Sequence, residues 1–163
     1  MAFGVVGAIV LVGASLRLGS TERSIPLADA ALVSSLRSVS FLEGLPQPTV
    51  EHLALACERR SVPAGCTLVA EGEVGNEFFV VLSGSCEVRR GNAAVDQLSA
   101  PASFGEIALL HDEVRVASVI TTVECELAVI RQGDFLDAVG RTATSHRKAL
   151  DVAALHRGPT TPG

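Results

Sequence analysis

The chain has 163 residues, 48% of them hydrophobic, and a formal net charge of −5. That length suits one domain with appendages, large enough to bury a core without staples. No block of Lys or Arg occurs, which excludes the basic stripe of a nucleic-acid binder, so no nucleic-acid partner is expected.

Residues 1–17 form an apolar segment whose first charged residue is Arg17. A membrane-spanning helix needs about 20 apolar residues, so this run is short for a full span. It also lacks the basic stretch that opens a secretory signal. Arg17 and Arg23 lie on its C-terminal side, which by the positive-inside rule puts the rest of the chain in the cytoplasm. The expectation is the remnant of a membrane helix, with the domain after it attached to the cytoplasmic face. Residues 18–40 read as a linker and a helix. Pro26 suits a first helical turn, and Leu32, Leu36 and Val39 recur at helical spacing. The stretch Phe41-Leu42-Glu43-Gly44-Leu45-Pro46 breaks that helix. A second begins near Pro48, with Val50, Leu53, Ala54 and Cys57 on one face and His52 off the stripe, toward solvent.

From Glu58 the period changes to that of strands. Residues 61–62, 67–69, 78–82, 86–89, 95–98, 118–121 and 125–130 are short apolar or β-branched runs. Turn signals separate them: Pro63-Ala64-Gly65, Gly72 with Gly75-Asn76, Gly84 and Gly91-Asn92, the last suited to a two-residue hairpin. Seven or eight short strands so spaced indicate a jelly roll or barrel. Asp134 can cap a helix through Val139 that Gly140 ends, and Thr144 or Ser145 can begin another through His156. Residues 158–163 read as a tail. The four cysteines are widely spaced with no C-x-x-C pair, so reduced and mostly buried thiols are expected rather than a zinc site. With no Trp and no Tyr, a bound base would have to pack on Phe, His or aliphatic groups.

One stretch carries chemistry that a plain core element does not need. In Phe104-Gly105-Glu106-Ile107-Ala108-Leu109-Leu110 a glycine precedes a carboxylate at the mouth of a short apolar turn, and Arg115 follows the Glu by nine residues. The first N–H groups of a helical turn lack internal partners and suit an anion. Arg115 adds a planar cationic fork matched to phosphate oxygens. An ionised Glu only accepts hydrogen bonds, so a ligand here should carry a hydroxyl beside its phosphate, as a ribose phosphate does.

At FGEIALL-HDE-VRVASV the chain resembles the phosphate-binding cassette of cyclic-nucleotide-binding domains, the family of the catabolite activator protein and the kinase regulatory subunits. The run GEVGNEFFVV followed by Gly84 resembles the strand turns of the same family, and the resemblance extends over residues 41–139. It implies a mainly β fold with flanking helices: an eight-stranded jelly roll over residues 41–140, N-terminal helices, and a C-terminal lid helix over residues 141–157. It also implies that Glu106 accepts from the ribose 2′-hydroxyl and Arg115 pairs with the cyclic phosphate. Gly105 and the backbone at Ile107 and Ala108 complete the cradle, with Val116 and Ala117 following the Arg beside the ligand. No catalytic residue, metal or cofactor is implied; the ligand is cAMP, with cGMP as the other candidate.

The chain departs from the pattern at three places. Val114 stands for the usual Pro, Val116 stands where the catabolite activator protein has Ser and cyclic-GMP binders often have Thr, and Ser99-Ala100-Pro101-Ala102-Ser103 stands for a glycine-rich turn. Val116 cannot donate to a phosphate or meet a guanine amino group, which points to cAMP. The N-terminal run resembles the tail of a major-facilitator-type transporter, so a transporter domain is a further expected partner. The expected function is a regulatory binding module; the alternative is a roll that has lost its ligand and serves as a structural or interaction domain. A cupin-type enzyme needs clustered histidines, and His52, His111, His146 and His156 are scattered with no H-x-H. No helix-turn-helix pattern follows the last helix, so regulation of an attached or associated protein is expected rather than DNA binding.

Overall fold

The structure, a computed structural model, describes residues 28–140 and 143–157. The apolar segment 1–17, the linker before residue 28 and the tail lie outside the described residues. No helix among the described residues is long and apolar enough to cross a membrane.

Helix α1 (Ala30–Arg37) starts where the Asp29 carboxylate accepts from the Ala31 N–H at 2.9 Å, satisfying one of the orphan donors of a helix start. Its stripe buries Leu32 and Leu36. The break after α1 is itself core: turn hydrogen bonds (Leu42 N–H to Val39 O 2.9 Å, Leu45 N–H to Leu42 O 3.0 Å) fold it so that Val39, Phe41, Leu42 and Leu45 are buried. Helix α2 (Gln47–Ala56) follows Pro46 and buries Val50, Leu53 and Ala54. His52 is exposed, as expected of a residue off the stripe.

Eight antiparallel strands come next, in two four-stranded sheets: β1 (Glu58–Val62), β2 (Thr67–Val69), β3 (Glu77–Ser83), β4 (Ser85–Arg90), β5 (Ala93–Ser99), β6 (Ala102–Phe104), β7 (Ser118–Thr121) and β8 (Cys125–Arg131). One sheet runs β1-β8-β3-β6 and the other β2-β7-β4-β5. This is the expected eight-stranded jelly roll. Two strands differ from the sequence expectation. β1 begins at Glu58, because the charged Glu58-Arg59-Arg60 stretch pairs along β8 from Glu58↔Val129 to Val62↔Cys125; register on β8 outweighs its polar composition. β6 lies where a turn was expected. Its three residues pair with β3 through Phe79↔Phe104, and only the preceding Pro101 was a local signal, pointing to a turn.

Residues 78–81 of β3 are buried on both faces, and the alternation sorts them. Phe78 and Val80 face the helices, in a core with Leu36, Phe41, Leu53, Ile130 and Phe135. There the rings of Phe41, Phe78 and Phe135 meet at centroid distances of 4.7 to 5.9 Å. Phe79 and Val81 face the opposite sheet, with Val69, Cys86, Val119, Cys125, Leu127 and Val129. All four cysteines are free; Cys86 and Cys125 are buried, Cys57 and Cys66 half-buried. The β4–β5 hairpin turns at Gly91-Asn92, with Arg90 paired to Ala93.

The short helix α3 (Glu106–His111) sits between β6 and β7, and the helices α4 (Gln132–Gly140) and α5 (Ala143–Arg157) follow β8. Phe135, Ala138 and Val139 of α4 and Ala149 of α5 join the helical core. The last turn of α5 thereby reaches the sheet face next to α3.

Candidate functional site

Gly105 ends β6 and starts α3. Its φ of 98° is left-handed, a conformation that glycine adopts without a Cβ penalty. A Cβ there would also stand 2.6 Å from Arg115 Nη1 and 3.0 Å from the Glu77 carbonyl oxygen. The residue is therefore required twice over, by the turn and by the guanidinium packed against it.

Arg115 is 6% exposed. Its backbone is pinned from both sides, its N–H donating to Glu73 O and its carbonyl accepting from Gly72 N–H, each at 2.8 Å. Val114, in place of the family's Pro, bridges to Val74 in the same loop pair. Nη1 donates to Gly105 O at 2.9 Å and Nη2 to Glu77 O at 2.6 Å, while Cζ lies 5.8 Å from the Phe79 ring centroid. Burial lowers the guanidinium's pKa from its ordinary value, with the charges of Glu77 and Glu106 opposing. Its side-chain hydrogen-bond partners among the described residues are neutral carbonyls. Arg60 holds the Glu77 carboxylate at 2.8 Å and so steadies the strand that supplies one of these carbonyls.

Glu106, the first residue of α3, is 1% exposed. Its two oxygens differ. Oε1 lies 2.6 Å from Nδ1 of His156 in α5. Oε2 is buried and has no hydrogen-bond partner among the described residues, a costly state for a carboxylate oxygen unless a donor reaches it. The hydrogen bond to Glu106 raises the His156 pKa above its ordinary value; burial opposes and Asp96 adds to the rise.

These groups line one cavity of about 300 Å³. Gly105, Glu106, Ile107, Ala108, Arg115, Val116 and Ala117, all singled out in the sequence, line it together. Val69, Val88, Val95, Leu98 and Phe104 form an apolar wall, and Leu155 and His156 reach in from α5. Glu106 and Arg115 are not a surface ion pair, since both are buried. Sequence reasoning missed Arg90, Asp96, Leu155 and His156, which come from β4, β5 and α5 and carry no local signal. It also took Gly75 as a strand-turn residue. A Cβ on Gly75 would fall 2.1 Å from Arg115 Nε, so Gly75 makes room for the guanidinium. His111 is exposed at the end of α3. Among the described residues no group of three or more His, Cys, Asp or Glu could hold a metal ion.

A family model described as the cyclic nucleotide-binding domain matches residues 59–142. The chain is 33% identical over 106 residues to the cAMP-dependent protein kinase regulatory subunit of Eremothecium gossypii, a match covering 64% of this chain and 23% of that protein. It is 34% identical over 132 residues to cGMP-dependent protein kinase 2 of Mus musculus, covering 75% of this chain and 17% of that one. Its fold is similar to the regulatory domain of Toxoplasma gondii PKA in a co-crystal with cAMP: the TM-score is 0.67 at 28% identity, covering 77% of this chain and 49% of the other. The chain thus spans less than a quarter of the length of either curated relative. Both are kinases or kinase subunits, and the transporter resemblance of the N-terminal run draws no support from them.

Proposed function

Since the chain belongs to the cyclic nucleotide-binding domain family, we propose that its cavity takes a cyclic nucleotide, cAMP in preference to cGMP, and that the chain is a regulatory module rather than an enzyme. The observation that carries this reading is the pairing, at one end of an apolar cavity, of a buried cation and a buried acceptor. Arg115 is bonded to neutral carbonyls, and Glu106 Oε2 has no donor among the described residues. A cyclic nucleotide supplies the complement to both, an anionic phosphate next to a free 2′-hydroxyl.

In this reading Arg115 and the first-turn amides of α3, at Ile107 and Ala108, hold the phosphate, and Glu106 takes the hydroxyl. Val116 and Ala117 flank the sugar, and the base packs on Val69, Val88, Val95 and Leu98. Residues 41–140 are the binding unit and residues 141–157 the lid, which passes occupancy on to whatever protein the chain regulates. Val116 offers no hydroxyl to a guanine amino group, which supports cAMP. The competing reading, an interaction domain without ligand, also has Val116 in its favour, but a buried Arg bonded to neutral carbonyls and a buried carboxylate oxygen with no donor among the described residues are expensive to keep without a ligand.

Titration calorimetry of the whole chain with cAMP and cGMP is the test. Saturable binding with cAMP the tighter is expected. Heat from neither nucleotide sinks the reading and leaves the interaction domain.

A further inference from the structure

The last turn of α5 is fastened to the site at three points. His156 Nδ1 meets Glu106 Oε1 at 2.6 Å. Arg90 of β4 donates to the His156 carbonyl oxygen. Arg157 donates to Glu113 Oε2, just beyond α3, at 2.6 Å. Between them Leu155, 79% exposed, lines the cavity. The His156 imidazole is what makes this set of contacts sensitive to protons near neutral pH.

We propose that His156 is a positioning residue and a proton-dependent latch: as an imidazolium it holds Glu106 Oε1, turns Oε2 toward the cavity, and keeps the end of α5 closed over a bound nucleotide. This rests on the nucleotide reading of the site. One carboxylate then serves both the helix and the ligand. It can accept at both oxygens at once, so a hydroxyl donor at Oε2 and the imidazolium at Oε1 can be held together rather than exclude each other. The phosphate's negative charge works in the same direction.

The charged groups facing His156 favour its protonated form. Glu106 approaches from α3 and Asp96 from β5, and both raise its pKa. Arg90 from β4 is directed at the carbonyl rather than the ring, and Arg157, its neighbour on α5, is committed to Glu113. The closed arrangement thus has a raised imidazole pKa, and an opened α5 would return it to the ordinary value of about 6.5. The latch is fully set below that ordinary value and is lost as pH rises through the raised one.

Two measurements on the full chain test this. The first follows the His156 ring by NMR across pH, without nucleotide, in wild type and Glu106→Gln, with the resonance assigned by its loss in His156→Asn. The expected result is titration above about 6.5 in wild type and a fall toward that value in Glu106→Gln. Identical titration in the two overturns the latch.

The second measures dissociation of a fluorescent cAMP analogue between pH 5.5 and 8.5. Wild type should release it about tenfold faster at the alkaline end, the worth of one charge-assisted hydrogen bond. His156→Asn keeps an N–H donor near the Nδ1 position and does not titrate, so its release should be slow and flat with pH. His156→Ala should be fast and flat. A flat wild-type profile, or release that slows as pH rises, overturns the proposal, the latter showing that His156 blocks the nucleotide instead of holding it. An analogue that binds at no pH overturns the nucleotide reading and the closure over ligand, while the NMR measurement still decides whether His156 latches α5 to α3.

Discussion

Gly75 and Arg115 occupy one space. A Cβ built on Gly75 would lie 2.1 Å from Arg115 Nε and 2.2 Å from Cζ. The residues are far apart in sequence, and the two loops meet through the Arg115 N–H to Glu73 O bond and the Val74–Val114 bridge. The guanidinium cannot yield cheaply, because Gly105 O and Glu77 O hold its two terminal nitrogens.

Gly75→Ala should therefore act as a binding mutation. Arg115→Ala removes charge-assisted bonds worth about 1.5–3 kcal/mol, so cAMP affinity should fall at least tenfold. Gly75→Ala should lose a comparable amount by displacing the same group. The double variant should bind no worse than Arg115→Ala, since the two changes remove one interaction. Calorimetry on the four proteins gives the answer; wild-type affinity in Gly75→Ala would show that the guanidinium does not depend on that space.

Glu106 makes a second coupled pair, with the ligand itself. A 2′-deoxy analogue of cAMP should bind wild type poorly but lose little further in Glu106→Ala. Glu106→Gln keeps an acceptor without the charge and should lose less than Glu106→Ala. Independent, additive losses for the analogue and the alanine variant would mean that Glu106 does not touch the ribose.

Val116 lines the cavity directly after Arg115. Val116→Thr supplies a hydroxyl at this position and should narrow the preference for cAMP over cGMP by about 0.5–1.5 kcal/mol, one hydrogen bond's worth. Competition binding with the two nucleotides measures it. A wild-type preference for cGMP would refute the role given to Val116.

The apolar segment 1–17 makes a separate prediction. The full chain should bind detergent or sediment with membranes, and a chain begun at Ser20 should do neither while keeping its fold by circular dichroism. Equal behaviour of the two without detergent bound would remove the membrane remnant.

Local pattern was enough for the roll, and it singled out residues that the fold gathers on one cavity. Alternating apolar runs between turn glycines specify strands, because a strand's faces repeat every two residues. The FGE…R spacing works locally too: α3 and its loop carry Glu106 and Arg115 to one place within a single short segment. What the pattern could not reveal came from elements distant in the chain. Gly75 looked like a turn residue, and only the meeting of two loops made it the floor under Arg115. β6 was invisible because three residues after a proline have no periodicity of their own, and pairing with β3 alone makes them a strand. His156 lay among scattered histidines until the packing of α4 and α5 on the helical core brought its ring, fifty residues along, to Glu106. Sequence determines which groups a segment can offer; which oxygen of Glu106 is taken and which is free was decided by how the last helix docks.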